Sequence, residues 1–292
     1  MAISIRIPGL LKLVVARKAA EILAMNAAMG IDRPLSGRGG LFNRAIGNKL
    51  KLFQAPTGEI WPAFCSRLDP VRIAHQNEVA AKLADVPAQL RRLSSEIGEL
   101  AGYVRGKETA RPVGMVVQQI VGRVFFDDYR ANRESYDAAQ TLSAWLKAGP
   151  LKTLVMRRSG KVPAAVDAVL THARGNTACA HGTGIALHNI IESVELMRKL
   201  ARSETRLRQL SPDEAAAQTL RAPQRAVREA RDSVCAGSVR VPERSIILLR
   251  VESARKHGSD PGIAFFTGQW NECPAHAFVP ALLAEIWKTA RA

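Results

Sequence analysis

The sequence predicts a mainly α-helical fold with a small β-sheet, and three observations support this prediction. Apolar residues recur every three or four positions over long stretches, as they do along one face of a helix. One late stretch, from about 238 to 253, has two β-branched runs separated by a turn. The composition, 47 % hydrophobic and 23 % charged over 292 residues, excludes a disordered or fibrous chain. We therefore expect a single folded domain over 1–292.

The first half of the chain predicts helices separated by irregular segments. The N-terminal stretch is apolar but interrupted by Lys12, so we interpret it as a surface or core helix and not as an export signal. Residues 34–70 are rich in glycine, proline and turn signals. From about 71 to 105 the apolar spacing predicts a helix that Pro87 breaks or kinks. Further helices are expected at about 113–147 and 162–175.

A charge-free segment follows, from Gly175 to Ile191, with no Lys, Arg, Asp or Glu. A helix without a charged face belongs in the middle of a fold, not on its surface. Gly182 and Gly184 lie inside this predicted helix, where each glycine costs roughly 1 kcal/mol relative to alanine. We therefore expect something flat to lie against the helix backbone at these two positions.

Two further helices are predicted in the last third of the chain. The sequence Ser211-Pro-Asp-Glu is a helix start with a capping serine and a proline in the first turn. The terminal helix is expected directly after Cys273, with Pro274 as its first residue. A cysteine at that position would be stabilised as a thiolate by unpaired N–H groups, and could serve as a nucleophile or metal ligand. The alternative is a small buried hydrophobic side chain.

Charge and cysteine usage narrow the class of protein. Lys and Arg outnumber Asp and Glu by 42 to 26, giving a net charge of +16, which suits an acidic partner. Aromatic residues make up only 5 %, which argues against stacking on single-stranded nucleic acid. The four cysteines form no CxxC pair, and no apolar run approaches the roughly 20 residues of a membrane span. We expect a cytoplasmic protein without a membrane span.

A series of residue types occurs in a characteristic order between about Asn176 and Trp287. In chain order they are Thr183 in the charge-free helix, Gln218 and Arg221, then Arg228 or Arg231, then Asp260 before Pro261, and finally Phe266, Gly268 and Cys273. This order resembles the C-terminal half of the cytochromes P450, which are heme-thiolate enzymes. The resemblance implies a shortened P450-like helical fold, with 171–292 as the heme-binding half and 1–170 as a divergent, substrate-side half.

The resemblance also implies heme b as the cofactor and assigns a role to each of these residues. Cys273, seven residues after Phe266, would be the proximal thiolate ligand of the iron. The other implied roles are loop shaping by Phe266 and Gly268, propionate binding by Arg228 or Arg231, bracing of the ligand loop by Gln218 and Arg221, and handling of oxygen or peroxide and its protons by Thr183 and His181.

The chain departs from the family pattern at positions that bear on the reaction. Gln218 replaces a glutamate, and Asn271 replaces a basic residue two positions before the cysteine. Gly182 replaces the acid that precedes the distal threonine and helps to deliver protons. His181 could take over that proton transfer. We therefore expect a peroxide-dependent or otherwise atypical heme reaction on a small organic substrate.

Two other functions fit the sequence. One is a catalytically silent, P450-derived scaffold or partner protein, and the other is a basic helical protein that binds nucleic acid without heme. Retention of Cys273 favours an enzyme over a scaffold, because a scaffold needs no iron ligand. The low aromatic content and the central apolar helix argue against the nucleic-acid binder. For the enzyme, the expected partners are a small-molecule substrate and an acidic electron-transfer protein.

Overall fold

The structure, a computed structural model, describes residues 2–35, 37–256 and 261–292. The chain divides into two compact units, each assembled from separated segments. The β-rich unit consists of Met1–Phe53, Pro62–Gln76 and Ala222–Cys273. The helical unit consists of Gln54–Trp61, Asn77–Arg221 and Pro274–Ala292. These units are not consecutive halves of the chain. The predicted division into a substrate-side half, 1–170, and a heme-binding half, 171–292, is a functional one and remains a prediction.

The helices of the described residues, in chain order, are α1 (Ala19–Ala27), α2 (Leu41–Leu50), α3 (Pro70–Lys82), α4 (Val86–Arg92), α5 (Ser94–Val104), α6 (Val113–Phe125), α7 (Arg133–Lys147), α8 (Pro150–Arg158), α9 (Lys161–His172), α10 (Thr177–His181), α11 (Leu187–Ala201), α12 (Glu204–Gln209), α13 (Pro212–Thr219), α14 (Val251–Lys256) and α15 (Phe278–Arg291). A π-helical turn, Gly182–Ala186, joins α10 to α11, and 3₁₀ turns lie at Pro62–Phe64 and Pro261–Phe265. The prediction of a mainly helical fold with a small sheet is confirmed.

All strands among the described residues belong to the β-rich unit. They are β1 (Ile3–Ile7), β2 (Leu11–Ala16), β3 (Ile31–Asp32), β4 (Ala226–Ala230), β5 (Val234–Ala236), β6 (Val239–Val241) and β7 (Ile246–Leu249). Among the described residues the larger sheet has the order β1-β2-β7-β4-β3, and β5 pairs with β6. Strand β2 runs parallel to β7, with Leu13 opposite Ile246, and the other pairs are antiparallel. The sheet therefore joins the N-terminal segment to the chain after residue 222.

The N-terminal helix that the sequence predicts is wrong, because this segment forms the antiparallel hairpin β1–β2. Ile3, Ile5 and Ile7 alternate with other residues, and this period of two fits a strand. Gly9 has a φ of 71° in the turn between the strands. The β-branched alternation outweighs the apolar run that suggested a helix.

The two β runs late in the chain are strands, but they do not pair with each other as a hairpin. Strand β6 pairs with β5, whereas β7 lies between β2 and β4. Ile246, Ile247 and Leu249 are all buried, so β7 is apolar on both faces. Such a strand belongs in the centre of a sheet and not in an edge hairpin.

In the helical unit the predicted break at Pro87 is confirmed. Helix α3 ends at Lys82, and α4 begins at Val86, where the Asp85 carboxylate accepts a hydrogen bond of 2.9 Å from the Ala88 N–H. The charge-free segment is central, as expected, since Cys179, Ala180 and Thr183 are fully buried. Within the described ranges, no helix combines the length and apolar character needed to cross a membrane.

Candidate functional site

The loop before Cys273 is closed by backbone hydrogen bonds. The Cys273 N–H donates to the Phe265 carbonyl oxygen at 2.8 Å. Gly268 has a φ of 73°, and its N–H donates to the Glu272 carboxylate at 2.9 Å. Phe266 is buried with a φ of 52°, a left-handed conformation that is uncommon for a side chain of this size. The loop thus holds Cys273 as a half-buried thiol at its end.

Cys273 is not the cap of the terminal helix, which corrects the sequence prediction. Helix α15 begins at Phe278, its N-cap is Ala277, and the residues from Pro274 to Ala277 form turns. Pro280 explains the difference, because proline is tolerated in the first turn of a helix and breaks a helix interior. A helix starting at Pro274 would have placed Pro280 in that interior. The N-terminal N–H groups of α15 therefore do not stabilise a Cys273 thiolate.

Arg228 lies on β4 and is fully buried. Its Nε donates to the Asn26 side-chain oxygen at 3.0 Å, and its Nη1 donates to the Val227 carbonyl at 2.8 Å. Its Nη2 is buried without a hydrogen-bond partner among the described residues. Burial lowers the pKa of Arg228 far below its ordinary value, the charge of Arg33 lowers it further, and Asp32 opposes both. An anion at Nη2 would satisfy both the donor and the charge.

Arg228 belongs to a group of guanidiniums around one indole ring, which we call the arginine cluster. The guanidinium carbons of four arginines lie 5.2 to 5.6 Å from the Trp270 ring centroid: Arg33, Arg67, Arg72 and Arg228. The Nε atoms of Arg33 and Arg72 are also buried without partners in the described part of the chain. Burial lowers the pKa of Arg33 to about 10 and lowers that of Arg72 as well. The contacts with the Trp270 ring therefore offset only part of the positive charge of the four arginines.

Asp32 supplies the nearby negative charge, and Arg231 takes part of it. The Arg231 guanidinium lies 2.6 Å from the Asp32 carboxylate. Asp32 also accepts hydrogen bonds from the Ser66 hydroxyl at 2.7 Å and from the Arg67 N–H at 2.8 Å. Arg231 is thus paired with Asp32, whereas the Nη2 donor of Arg228 has no partner among the described residues. Of the two arginines that the sequence offers for a propionate, Arg228 fits an anion better.

Asn26 on α1 connects Arg228 to the loop. The Asn26 side-chain oxygen accepts from Arg228, and its amide nitrogen donates to the Asn271 side-chain oxygen at 2.6 Å. The Trp270 indole N–H donates to the Asn26 carbonyl at 2.8 Å. Sequence reasoning missed Asn26, Arg33, Arg72 and Trp270. Trp270 lies inside the loop already singled out, but the others lie far along the chain and have no local signature.

Thr183, in the helical unit, is fully buried in the π turn, and its hydroxyl donates to the Cys179 carbonyl at 2.8 Å. The Gln118 amide nitrogen donates to both the Thr183 and Ser135 carbonyls at 3.0 Å, and the Ser135 hydroxyl donates to the Gln118 oxygen. A π turn interrupts the regular helical hydrogen bonding, and such turns are frequent at functional sites. Gln118 therefore supports the backbone at Thr183. His181, at the end of α10, is half-buried.

The space beside the two glycines of the charge-free helix is occupied by neighbouring side chains, including the Phe125 ring 3.7 Å from a Cβ at Gly182 and the Trp61 ring 3.6 Å from a Cβ at Gly184. A Cβ at Gly182 would lie 2.9 Å from the Val121 side chain of α6. At Gly184 it would lie 3.0 Å from Val169 and 3.3 Å from Leu142. The close approach that the glycines predict is therefore made by helices packing on the π turn.

Gln218 and Arg221 do not pair with each other, and their bracing of the ligand loop remains a prediction. Helix α13 ends at Thr219, so Arg221 lies beyond it, and the spacing of three residues no longer places both side chains on one helix face. Gln218 is exposed and makes no hydrogen bond to Arg221 within the described residues. The Arg221 backbone N–H instead donates to the Ser193 hydroxyl at 2.9 Å.

The units divide the predicted site residues between them. The β-rich unit holds Phe266, Gly268, Cys273, Arg228 and Arg231, and the helical unit holds Thr183, His181, Gln218 and Arg221. Asp260 lies outside the described residues.

No family model and no curated protein matches the sequence. Solved structures match nearly its whole length. A variant of cytochrome P450 OleT in complex with arachidonic acid superposes with a TM-score of 0.60 at 10 % identity, covering 99 % of this chain and 82 % of that one. CYP164A2 of Mycobacterium smegmatis with econazole bound gives 0.59 at 15 % identity, covering 99 % and 86 %. P450BioI in complex with an acyl carrier protein ligated to hexadec-9Z-enoic acid gives 0.56 at 12 %, covering 96 % and 84 %. At these identities the similarity establishes the fold, and the chain has the fold of the cytochromes P450.

Proposed function

We propose that this protein is a heme-thiolate oxidoreductase that acts on a small organic substrate, with heme b held by Cys273. The observation that carries the proposal is the buried Arg228, whose unpartnered Nη2 lies in the same unit as the Cys273 loop. The donor set suits the cofactor, because a thiol can ligate iron and a guanidinium can bind a propionate carboxylate. When bound, a thiolate-ligated heme supplies oxygen-activating chemistry, since the thiolate favours O–O cleavage.

In this proposal the arginine cluster binds the propionate carboxylates of the heme. Arg228 donates from Nη2, and the buried Nε atoms of Arg33 and Arg72 provide further donors around Trp270. A carboxylate here would restore the pKa values that burial and mutual repulsion lower. Asn26 orients Arg228, and Phe266 and Gly268 keep the loop backbone closed before Cys273.

Proton handling falls to the helical unit. The Thr183 hydroxyl is already bonded to the Cys179 carbonyl, and Gly182 stands where the family carries an acid. We therefore assign proton transfer to His181, because an imidazole gains and loses a proton near neutral pH. Peroxide brings the two electrons that dioxygen would need from a partner, so a peroxide-dependent reaction fits this site. With dioxygen, the net charge of +16 would suit an acidic electron donor.

Apolar carboxylic acids are the first substrates to test, because the similar OleT and P450EX alpha structures contain arachidonic and myristic acid. A second candidate function, a heme-free partner protein with the P450 fold, is favoured by Trp270. Its ring already contacts the four guanidiniums of the cluster and offsets part of their charge without any ligand.

Heme binding is tested by the absorption spectrum of the purified protein after reduction with dithionite and addition of carbon monoxide. We expect a Soret band at the position typical of thiolate-ligated heme. Cys273→Ala should abolish that band, because no other thiolate replaces the ligand, whereas Cys235→Ala on exposed β5 should preserve it. Arg228→Gln should speed heme transfer to apomyoglobin about tenfold, the loss expected for one charged hydrogen bond.

A colourless protein that does not take up added heme would contradict the proposal and favour the partner protein. A normal thiolate spectrum in Cys273→Ala would contradict the ligand assignment. For Arg228→Gln the matched control is Arg240→Gln, since Arg240 is exposed on β6 of the same unit. Equal heme loss in both variants would remove the propionate role of Arg228.

A further inference from the structure

The β-rich unit carries a group of exposed large apolar side chains, which we call the apolar patch. Its members are between 39 % and 57 % exposed: Ile3, Ile5, Ile7, Leu10, Leu41 and Phe42. Strand β1 is the edge of its sheet, and all five of its residues are exposed. Proteins that work alone in water rarely expose contiguous apolar surface of this kind, so such surfaces commonly mark an interaction.

The hairpin part and the helix part of the apolar patch adjoin each other. A Cβ at Gly40 would collide with the Leu10 carbonyl oxygen, so only glycine fits where the β1–β2 turn meets the start of α2. Leu41 and Phe42 are the first two residues of α2 and follow Gly40 directly. The turn residue Leu10 therefore lies beside the N-terminus of α2.

Helix α2 exposes the two large apolar residues of its first turn. It buries Asn43 and Gly47 and exposes Leu41 and Phe42. The Asn43 amide donates to the Arg244 carbonyl at 2.8 Å, which fixes this orientation. A helix normally turns its apolar residues to the core and its polar residues to water. The exposed leucine and phenylalanine are thus available to an apolar partner.

The chain around the apolar patch is strongly basic. From Met1 to Phe53 it has nine lysines and arginines against two acidic residues, Glu21 and Asp32. Asp32 is buried and paired with Arg231. Arg44, three residues after Leu41 on α2, is exposed beside the apolar patch, and Arg6 is exposed on the face of β1 opposite the isoleucines. An occupant of this surface must therefore offer both apolar groups and negative charge.

We infer that the apolar patch docks this protein on the surface of an anionic lipid bilayer. Interfacial binding of this kind places apolar side chains at the boundary of headgroups and acyl chains, while basic residues contact the acidic headgroups. Charge selects this occupant over a second copy of the chain, because two copies meeting through the patch would bring two basic surfaces together. The inference is independent of the proposed heme chemistry.

The test is flotation of the full chain with two kinds of vesicle, phosphatidylcholine alone and phosphatidylcholine with about 30 % phosphatidylglycerol. We expect binding to the anionic vesicles only, and loss of that binding at about 1 M salt, where charges are screened within a few ångströms. Leu41→Ser with Phe42→Ser should weaken binding at least about tenfold, since two apolar side chains lose their burial. The matched control is Met29→Ser with Leu68→Ser, two residues of the same unit that are 71 % and 72 % exposed outside the patch.

The charge part of the inference has its own variants. Arg44→Glu should weaken binding more than Arg240→Glu, because both residues are exposed but only Arg44 lies on α2 beside the patch. Far-UV circular dichroism melts verify that each variant is folded. Equal binding to neutral vesicles, equal effects of patch and control variants, or patch-dependent dimers in sedimentation without lipid would each overturn the inference.

Discussion

Two groups of buried polar side chains, one around Gln118 in the helical unit and one around Trp270 in the β-rich unit, differ in how fully their hydrogen bonds are satisfied. Around Thr183, both ends of the Gln118 amide are bonded, and the Thr183 hydroxyl and carbonyl each have a partner. Around Trp270, Arg228, Arg33 and Arg72 each keep a buried nitrogen without one among the described residues. A buried network whose hydrogen bonds are all formed stabilises the fold. A buried, charged network with unpaired donors costs free energy until a ligand pairs with them. The difference supports a structural role for the first network and the proposed ligand-binding role for the second.

The largest expected effect tests the completed network. Gln118→Leu removes the donor to the Ser135 and Thr183 carbonyls and leaves both buried without it. We expect a loss of about 3 kcal/mol in the free energy of unfolding, measured by urea denaturation. Gln140→Leu, at an exposed position of α7, is the control and should change stability by less than about 0.5 kcal/mol. Equal losses in the two variants would show that the Gln118 network contributes nothing special.

A smaller effect is expected from the incomplete network. In heme-free protein, Arg228→Met should change the free energy of unfolding by less than about 1 kcal/mol. Relief of a buried cation offsets the lost bonds to Asn26 and Val227. Urea denaturation again gives the measurement. A loss as large as that of Gln118→Leu would make Arg228 structural and erase the contrast between the two networks.

An effect confined to acid pH concerns Glu96, a buried carboxylate of the helical unit whose charge is paired. The Glu96 carboxylate accepts hydrogen bonds from Arg123 at 2.7 and 2.9 Å and from Gln119 at 2.8 Å. Burial raises the pKa of Glu96, but the bonds from Arg123 and Gln119 outweigh burial and hold it below the ordinary value of 4.5. Its contribution to stability is therefore present above pH 4.5 and is lost as the pH falls through the lowered pKa.

Glu96→Gln should accordingly flatten the decline of stability between about pH 5 and pH 3, by about 1 kcal/mol. Denaturation midpoints across this pH range give the measurement. The exposed Glu108 supplies the control, because Glu108→Gln should leave the acid decline unchanged. If both variants behaved alike, Glu96 would not be the group that titrates.

The sequence predicts the fold well where hydrophobic residues recur periodically, and poorly where contacts between residues far apart in sequence determine the local structure. The order of Thr183, Arg228, Phe266 and Cys273 was enough to suggest a fold that the solved structures confirm. The N-terminal hairpin was missed because an apolar run with scattered basic residues suits a helix as well as a strand. The start of α15 was misplaced because Pro274 and Pro280 both suit a first turn, and only one can occupy it.

The site was harder to predict than the fold for a physical reason. Arg228 is suggested, together with Arg231, by its place in the family's order of residues, but its partner Asn26 is 202 residues away in sequence. Arg33 and Arg72 join the cluster only because strand pairing and helix packing bring them to Trp270. Gln218 and Arg221 do not pair because α13 ends between them, and helix ends are the least regular part of a sequence pattern.

Asn26 joins Arg228 to the Cys273 loop through its hydrogen bonds. One oxygen of Asn26 accepts from Arg228, and the rest of the residue bonds Trp270 and Asn271 in the Cys273 loop. A ligand that draws on Arg228 therefore changes the strength of the bonds that order the loop. Binding of the proposed anion at Arg228 and ordering of the Cys273 loop would be thermodynamically linked through Asn26, so that each would change the equilibrium constant of the other by the same factor.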